Sequence, residues 1–123
     1  MQLTFLKAKL HRATITSADM DYEGSISLGR ELCRAAGLLE FEQVDVYDIT
    51  NGARFTTYVI YGEAGQVQVN GAAARLVMAG DRIIVAAYVQ LAPEEVSAHK
   101  ARVVLLGEKN AIHSELDKCI TQP

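Results

Sequence analysis

The chain reads as a mainly β protein with short helices, and three features of its sequence say so. Gln2 to His11 and Ala13 to Ser17 are rich in β-branched and apolar residues. Asn51-Gly52 stands between two alternating segments as a hairpin turn, and Asp81 to Gln90 is an apolar run of strand length. A chain of 123 residues fits one domain, residues 1–123, large enough to bury a core.

Taken in order, the period of two in the first strand puts Phe5, Lys7, Lys9 and His11 on one side. Ser27 to Ala36 reads as a short helix, with Ser27 as its cap and Gly37 ending it in a left-handed turn. Leu28, Leu32, Ala35 and Ala36 would form its apolar face. Gln43 to Ile49 alternates as a strand and Arg54 to Tyr61 returns from the hairpin, with Arg54, Thr56 and Tyr58 on one face and Thr57 on the other. Gln66 to Val69 is a further strand. Asn70 to Val77 reads as a short helix whose first turn offers free backbone N–H groups suited to a carboxylate. After the strand Asp81 to Gln90 come a short helix from Pro93 to His99, a last strand from Arg102 to Leu106, and a polar tail after Gly107 that reads as loose or peripheral.

Composition excludes several classes of function. The net charge of −3 leaves no basic footprint for nucleic acid, and the absence of Trp removes an obvious stacking platform. No apolar run approaches the roughly 18 residues of a membrane-spanning helix. The first residues show no basic segment ahead of a long apolar stretch, so a cytoplasmic protein is expected. Cys33 and Cys119 lack a C-x-x-C partner and read as free thiols, and His11, His99 and His113 lack metal-ligand spacing, so no metal is expected.

Chemistry concentrates in four segments. Tyr22-Glu23-Gly24-Ser25 places a hydroxyl directly after a glycine carbonyl, an arrangement suited to a peptide bond attacked by its own neighbour. Such an attack needs backbone held out of its relaxed conformation, which glycine tolerates at least cost. Lys9-Leu10-His11-Arg12 lies upstream, and Asn51 to Tyr58 and Val69-Asn70-Gly71-Ala72-Ala73-Ala74 lie downstream. Each alone has an ordinary reading, as a solvated strand face, a loop or a turn.

Together, in this order and spacing, the four segments resemble the aspartate 1-decarboxylase family, pyruvoyl-dependent enzymes that make β-alanine for pantothenate synthesis. The resemblance runs from about Leu6 to about Val89. It implies a six-stranded double-psi β-barrel, in which closure removes exposed strand edges. It further implies a homotetramer with sites between subunits, L-aspartate as substrate, and room for a maturation factor that assists cleavage. The implied cofactor is a pyruvoyl group made from Ser25, with neither metal nor pyridoxal phosphate.

The chemistry behind that cofactor follows from residue types. Decarboxylating an amino acid leaves negative charge on its Cα, and no side chain stores a carbanion well, so an electron sink such as a ketone is needed. Ser25 is the expected source. Its hydroxyl attacks the Gly24 carbonyl to form an ester, β-elimination splits the chain into 1–24 and 25–123, and hydrolysis of the new terminus leaves the ketone. By resemblance Thr57 stabilises the oxyanion, Tyr58 returns a proton to the carbanion, and Arg54 and Lys9 meet the substrate side-chain carboxylate. Thr57 and the Gly71-Ala72-Ala73 backbone touch substrate, while His11, Tyr22 and Asn70 orient or support. Two rivals use the same residues: a non-catalytic β-barrel binding module with Gly24-Ser25 uncut, and a hydrolase keeping Ser25 as nucleophile. The second lacks a Gly-x-Ser-x-Gly elbow.

Overall fold

The computed structural model describes residues 1–123. Nine strands form one mixed sheet: β1 (Leu3–Thr14), β2 (Ser17–Asp19), β3 (Ser25–Gly29), β4 (Gln43–Asp48), β5 (Arg54–Gly62), β6 (Val67–Asn70), β7 (Arg82–Leu91), β8 (Lys100–Leu106) and β9 (Ile112–Cys119). One α-helix, α1 (Arg30–Ala36), and 3-10 turns at Gly71–Leu76, Pro93–Ala98 and Glu108–Asn110 connect them. The strand order is β2-β6-β3-β5-β4-β7-β1-β8-β9. The expected mainly β class with short helices is therefore observed. The sheet counts nine strands against the six of the expected barrel, with the short β2 and the appended β9 at its two ends.

The sheet curls back on itself. Thr16, just beyond β1, donates its backbone N–H and its hydroxyl to the Val67 carbonyl at 2.8 and 2.9 Å, and its Oγ1 accepts the Val67 N–H at 3.0 Å. Residues next to β1 thus reach β6, far away in the strand order. Asn110 adds a second tie, donating to the carbonyls of Thr14 and Gly65 at 2.9 Å each. Inside the curl lie Leu10, Ile15, Ile26, Leu28, Val44, Val46, Val59, Val67, Val69 and Val85, all fully buried. Each such side chain contributes about 1.5–3 kcal/mol when removed from water.

That burial explains the main departure from the sequence reading. Ser27 does not cap a helix: Ser25–Gly29 is a strand buried along its whole length, parallel to β5 and antiparallel to β6. Ile26 and Leu28 are 0 % exposed, and a helix begun at Ser27 would pull Leu28 from this core. The helix starts instead at Arg30 and buries Leu32, Cys33, Ala35 and Ala36. Its end is as expected, with Gly37 at φ 74° donating to the Cys33 carbonyl. Lys7 donates to the Gly37 carbonyl at 3.0 Å and Arg102 to that of Ala35 at 2.9 Å, two cations at the helix C-terminus.

Three smaller corrections concern the strands. A bulge between Leu6 and Ala8 puts Phe5 on the face opposite Lys9, so the expected single row breaks at Lys7 while Lys9 and His11 remain together. A second irregularity between His11 and Ala13, with Arg12 at φ 65°, bends the chain. The sequence after Gly107 is not a loose tail, because β9 pairs with β8 from Lys100↔Cys119 to Leu106↔Ile112. Its side chains are nearly all exposed, which made the strand illegible as a hydrophobic pattern.

Candidate active site

Ser25 sits at the start of β3 and is 1 % exposed. Its hydroxyl donates to the Glu23 carbonyl at 2.9 Å, which turns Oγ back along the chain. Asn70 lies opposite it in the β3–β6 register, and Nδ2 of Asn70 donates at 3.0 Å to Oγ of both Ser25 and Ser27. Asn70 is 0 % exposed. A buried amide fixed on a serine oxygen fits the supporting part assigned to it, because its donors cannot turn to water.

The glycine that shapes this site is Gly71 rather than Gly24. Gly24 does not adopt a positive φ, and a Cβ built on it would meet nothing within 4 Å. Nothing at Gly24 itself therefore demands glycine. Gly71 holds φ 76°, and a Cβ there would stand 2.6 Å from Gly24 Cα, 2.8 Å from Gly24 N and 3.3 Å from the Tyr22 carbonyl. The Tyr22–Gly24 segment therefore rests directly on Gly71. Ala72 and Ala73 follow in the 3-10 turn, which replaces the expected ordinary helix. Tyr22 also lines the largest cleft, of about 650 Å³, together with Ser27, Arg30, Tyr61 and Gln68.

β5 runs parallel to β3 with Ile26 beside Val59. Continued back, that register sets Tyr58 level with Ser25 and Thr57 level with Gly24. Thr57 pairs with buried Val44 and Tyr58 with Gln43, so the two point to opposite faces, as the alternation requires. Tyr58, Thr57, Thr56, Gln43 and Phe41 line a cleft of about 500 Å³.

The cations stand elsewhere. His11, Ile84, Tyr47 and Arg54 form one paired row across β1, β7, β4 and β5, and Lys9, Ala86, Asp45 and Thr56 form the next. Arg54 stacks over the Tyr47 ring at 4.4 Å, and Tyr47 and Tyr88 join their hydroxyls at 2.8 Å. That hydrogen bond, with some burial, raises the Tyr47 hydroxyl pKa to about 12. Burial, then the neighbouring Lys9, Arg12 and Lys118, lowers the pKa of His11, so its ring is neutral at pH 7. Nδ1 of His11 is buried without a partner. The structure thus brings Ser25 and Asn70 together, with the Tyr22–Gly24 segment against Gly71, sets Thr57 and Tyr58 on the neighbouring strand β5, and places His11 with Arg54 and Lys9 on two further rows.

Tyr47, Tyr88 and Gln68 were not singled out from the sequence. Gln68 had a readable signal, because Gln66, Gln68 and Asn70 alternate with Val67 and Val69 and so share a face. Tyr47 and Tyr88 meet only through tertiary pairing. Cys33, raised to about 11 chiefly by burial, is an inert core thiol. No helix is long and apolar enough to cross a membrane.

The family described as "Aspartate decarboxylase" matches residues 1–113. Aspartate 1-decarboxylase of Caulobacter vibrioides is 58 % identical over 114 residues, spanning 91 % of this chain and 97 % of that protein. The enzymes of the same name from Phenylobacterium zucineum and Clostridium acetobutylicum are 55 % and 50 % identical over the same share of this chain, covering 97 % and 90 % of their own lengths. The chain belongs to the aspartate decarboxylase family.

Proposed function

We propose that this protein is a cytoplasmic lyase that converts L-aspartate to β-alanine and carbon dioxide, using a pyruvoyl group formed when its chain is cut between Gly24 and Ser25. The observation that carries the reading is the buried Ser25 hydroxyl, reaching back across Gly24 to the Glu23 carbonyl and held by Asn70 at 3.0 Å. The residues present fit the group: Gly71 leaves room for the Tyr22–Gly24 segment, and Asn70 offers a fixed donor where an oxygen must sit. When formed, the pyruvoyl carbonyl supplies the electron sink for decarboxylation.

The chain's own side chains do the rest. Thr57, on the strand beside β3, donates to the oxyanion formed during cleavage. Tyr58, level with position 25, delivers its Oη proton to the substrate carbon as an acid held in place. Arg54 grips a substrate carboxylate with two parallel bonds and Lys9 adds a point charge, while neutral His11 orients. Gly71, Ala72 and Ala73 let substrate approach the backbone closely, and Tyr22 borders the site.

Within one chain these groups are spread over the sheet. Arg54 lies four residues along β5 from Tyr58, about 13 Å of extended strand, and three strand spacings, roughly 14 Å, separate the backbones at Arg54 and His11. The spread supports a homotetramer with sites between subunits, one supplying Ser25 and Asn70 and a neighbour supplying Arg54. The curled sheet, closed by Thr16 on Val67, likewise supports the double-psi barrel.

Complementation tests the reading. Ser25→Ala should remain one uncut, inactive chain, and Arg54→Ala should be cut but inactive. Mixed tetramers should regain activity, because the processed Arg54→Ala chain then meets an intact Arg54. An active Ser25→Ala protein would refute the pyruvoyl mechanism, and mixed tetramers without activity would refute the shared site.

A further inference from the structure

A line of side-chain amides leads to Ser25, and its direction is fixed by a backbone group. The Glu63 N–H, which can only donate, points at Gln66 Oε1 at 2.8 Å. This leaves Gln66 Nε2 to face Gln68 Oε1 at 3.3 Å, where Ser17 also donates at 2.6 Å. Gln68 Nε2 must then face Asn70 Oδ1, at 2.7 Å. Asn70 is left with its N–H groups towards Ser25 and Ser27. Every amide in the line points the same way, and each polarises the next.

We propose that Gln68 is a positioning residue for chain cleavage, acting through Asn70; this rests on the Gly24–Ser25 cleavage proposed above. In the first step the Oγ–C bond to Gly24 forms, the Gly24–Ser25 C–N bond breaks, and the nitrogen takes the proton that Oγ gives up. In the second, the Ser25 Cα proton leaves to solvent, a Cα=Cβ double bond forms and the Cβ–Oγ bond breaks. Its electron pair stays on oxygen as the Gly24 carboxylate. Negative charge therefore grows on Oγ, the atom that Asn70 Nδ2 already contacts at 3.0 Å. Water then hydrolyses the new terminus, releasing ammonia and leaving the ketone.

Gln68 holds the donor there. With a non-donor at 68, the Asn70 amide turns over, its nitrogen going to residue 68 and its carbonyl oxygen to Ser25 and Ser27. A carbonyl oxygen then faces the departing oxygen, and elimination loses an oriented donor. Loss of one such donor costs about 10²- to 10³-fold in rate. Ester formation, in which Oγ gives up a proton and gains no full charge, is affected less.

The full chain, made in a cell-free extract and followed by denaturing intact mass, separates the steps. Wild type should split into 1–24 and 25–123, whereas Gln68→Glu, the same size but without a donor when ionised, should split about 10²-fold more slowly. The uncut Gln68→Glu chain should hold the ester, which hydroxylamine cleaves to give Gly24 as hydroxamate and Ser25 with a free amine. A residue that merely stabilises the fold would lower ester and product together. Should Gln68→Glu not fold, Gln68→Met carries the same two readouts. Cleavage at the wild-type rate, or slow cleavage without the hydroxylamine-sensitive species, overturns the role of Gln68 alone. A wild-type chain with neither cleavage nor ester overturns both this inference and the reading beneath it.

Discussion

Replacing Gly71 by alanine should slow self-cleavage through contact with Gly24, and its magnitude can be worked from the structure. The new Cβ would stand 2.6 Å from Gly24 Cα and 2.8 Å from Gly24 N, whereas carbon atoms in contact prefer about 3.5 Å or more. The neighbour is backbone and has no rotamer to change, so the segment before Ser25 must retreat by about 1 Å. Displacement of that size from a reacting geometry costs about 10²-fold in rate. The backbone at Gly71, with φ 76°, adds about 1–2 kcal/mol of strain for a residue with a side chain. Gly37→Ala separates the two effects: its φ is 74°, but its Cβ would meet nothing within 4 Å. Gly37→Ala should lose stability in urea to strain alone and Gly71→Ala somewhat more, and only Gly71→Ala should delay the appearance of chains 1–24 and 25–123 by mass. Equal cleavage rates in the two variants would refute the reasoning.

Two further outcomes are expected. Tyr58→Phe should be cut normally yet turn over about 10²- to 10⁴-fold more slowly, as loss of a general acid requires; normal β-alanine production would remove Tyr58 from that role. Asp48 is 3 % exposed, with Oδ1 accepting the N–H groups of Thr50 and Asn51 at 2.8 and 3.1 Å. Its Oδ2 has no N–H or backbone partner and faces Asp81, and burial followed by Asp81 raises its pKa. The folded value lies above the ordinary one of about 3.9, so its contribution to stability is lost as pH rises from the ordinary carboxylate range through the raised value. Asp48→Asn keeps the Oδ1 acceptor and turns an N–H towards Asp81. It should be more stable than wild type at pH 7 by on the order of 1 kcal/mol, with a flatter pH dependence of the urea midpoint. A lower midpoint at pH 7 would contradict this account of the pair.

Much of this fold was legible because strand faces repeat every two residues. Lys9 with His11, and Arg54 and Tyr58 against Thr57, were placed correctly by alternation, and Gly37 announced the end of α1. Ser27 misled because serine before an apolar stretch resembles a helix cap, while the burial of Ile26 and Leu28 that makes it a strand is tertiary. β9 escaped notice because its exposed side chains show no apolar period and its stability comes from pairing with β8. At the site, the residue types were readable but the load on glycine was not. Gly24 looked like the constrained position, and only the packed chain shows that Gly71 takes the contact. The separation of Arg54 and Lys9 from Ser25 was equally invisible, because it depends on strand order.

The most direct test is the denaturing intact mass of the wild-type protein. Two species are expected, one ending at Gly24 and one beginning at position 25 and lighter than its serine form by one ammonia. A single full-length mass that persists on warm incubation and after cell extract is added, with no β-alanine formed from aspartate, would contradict the account and favour an uncut binding module.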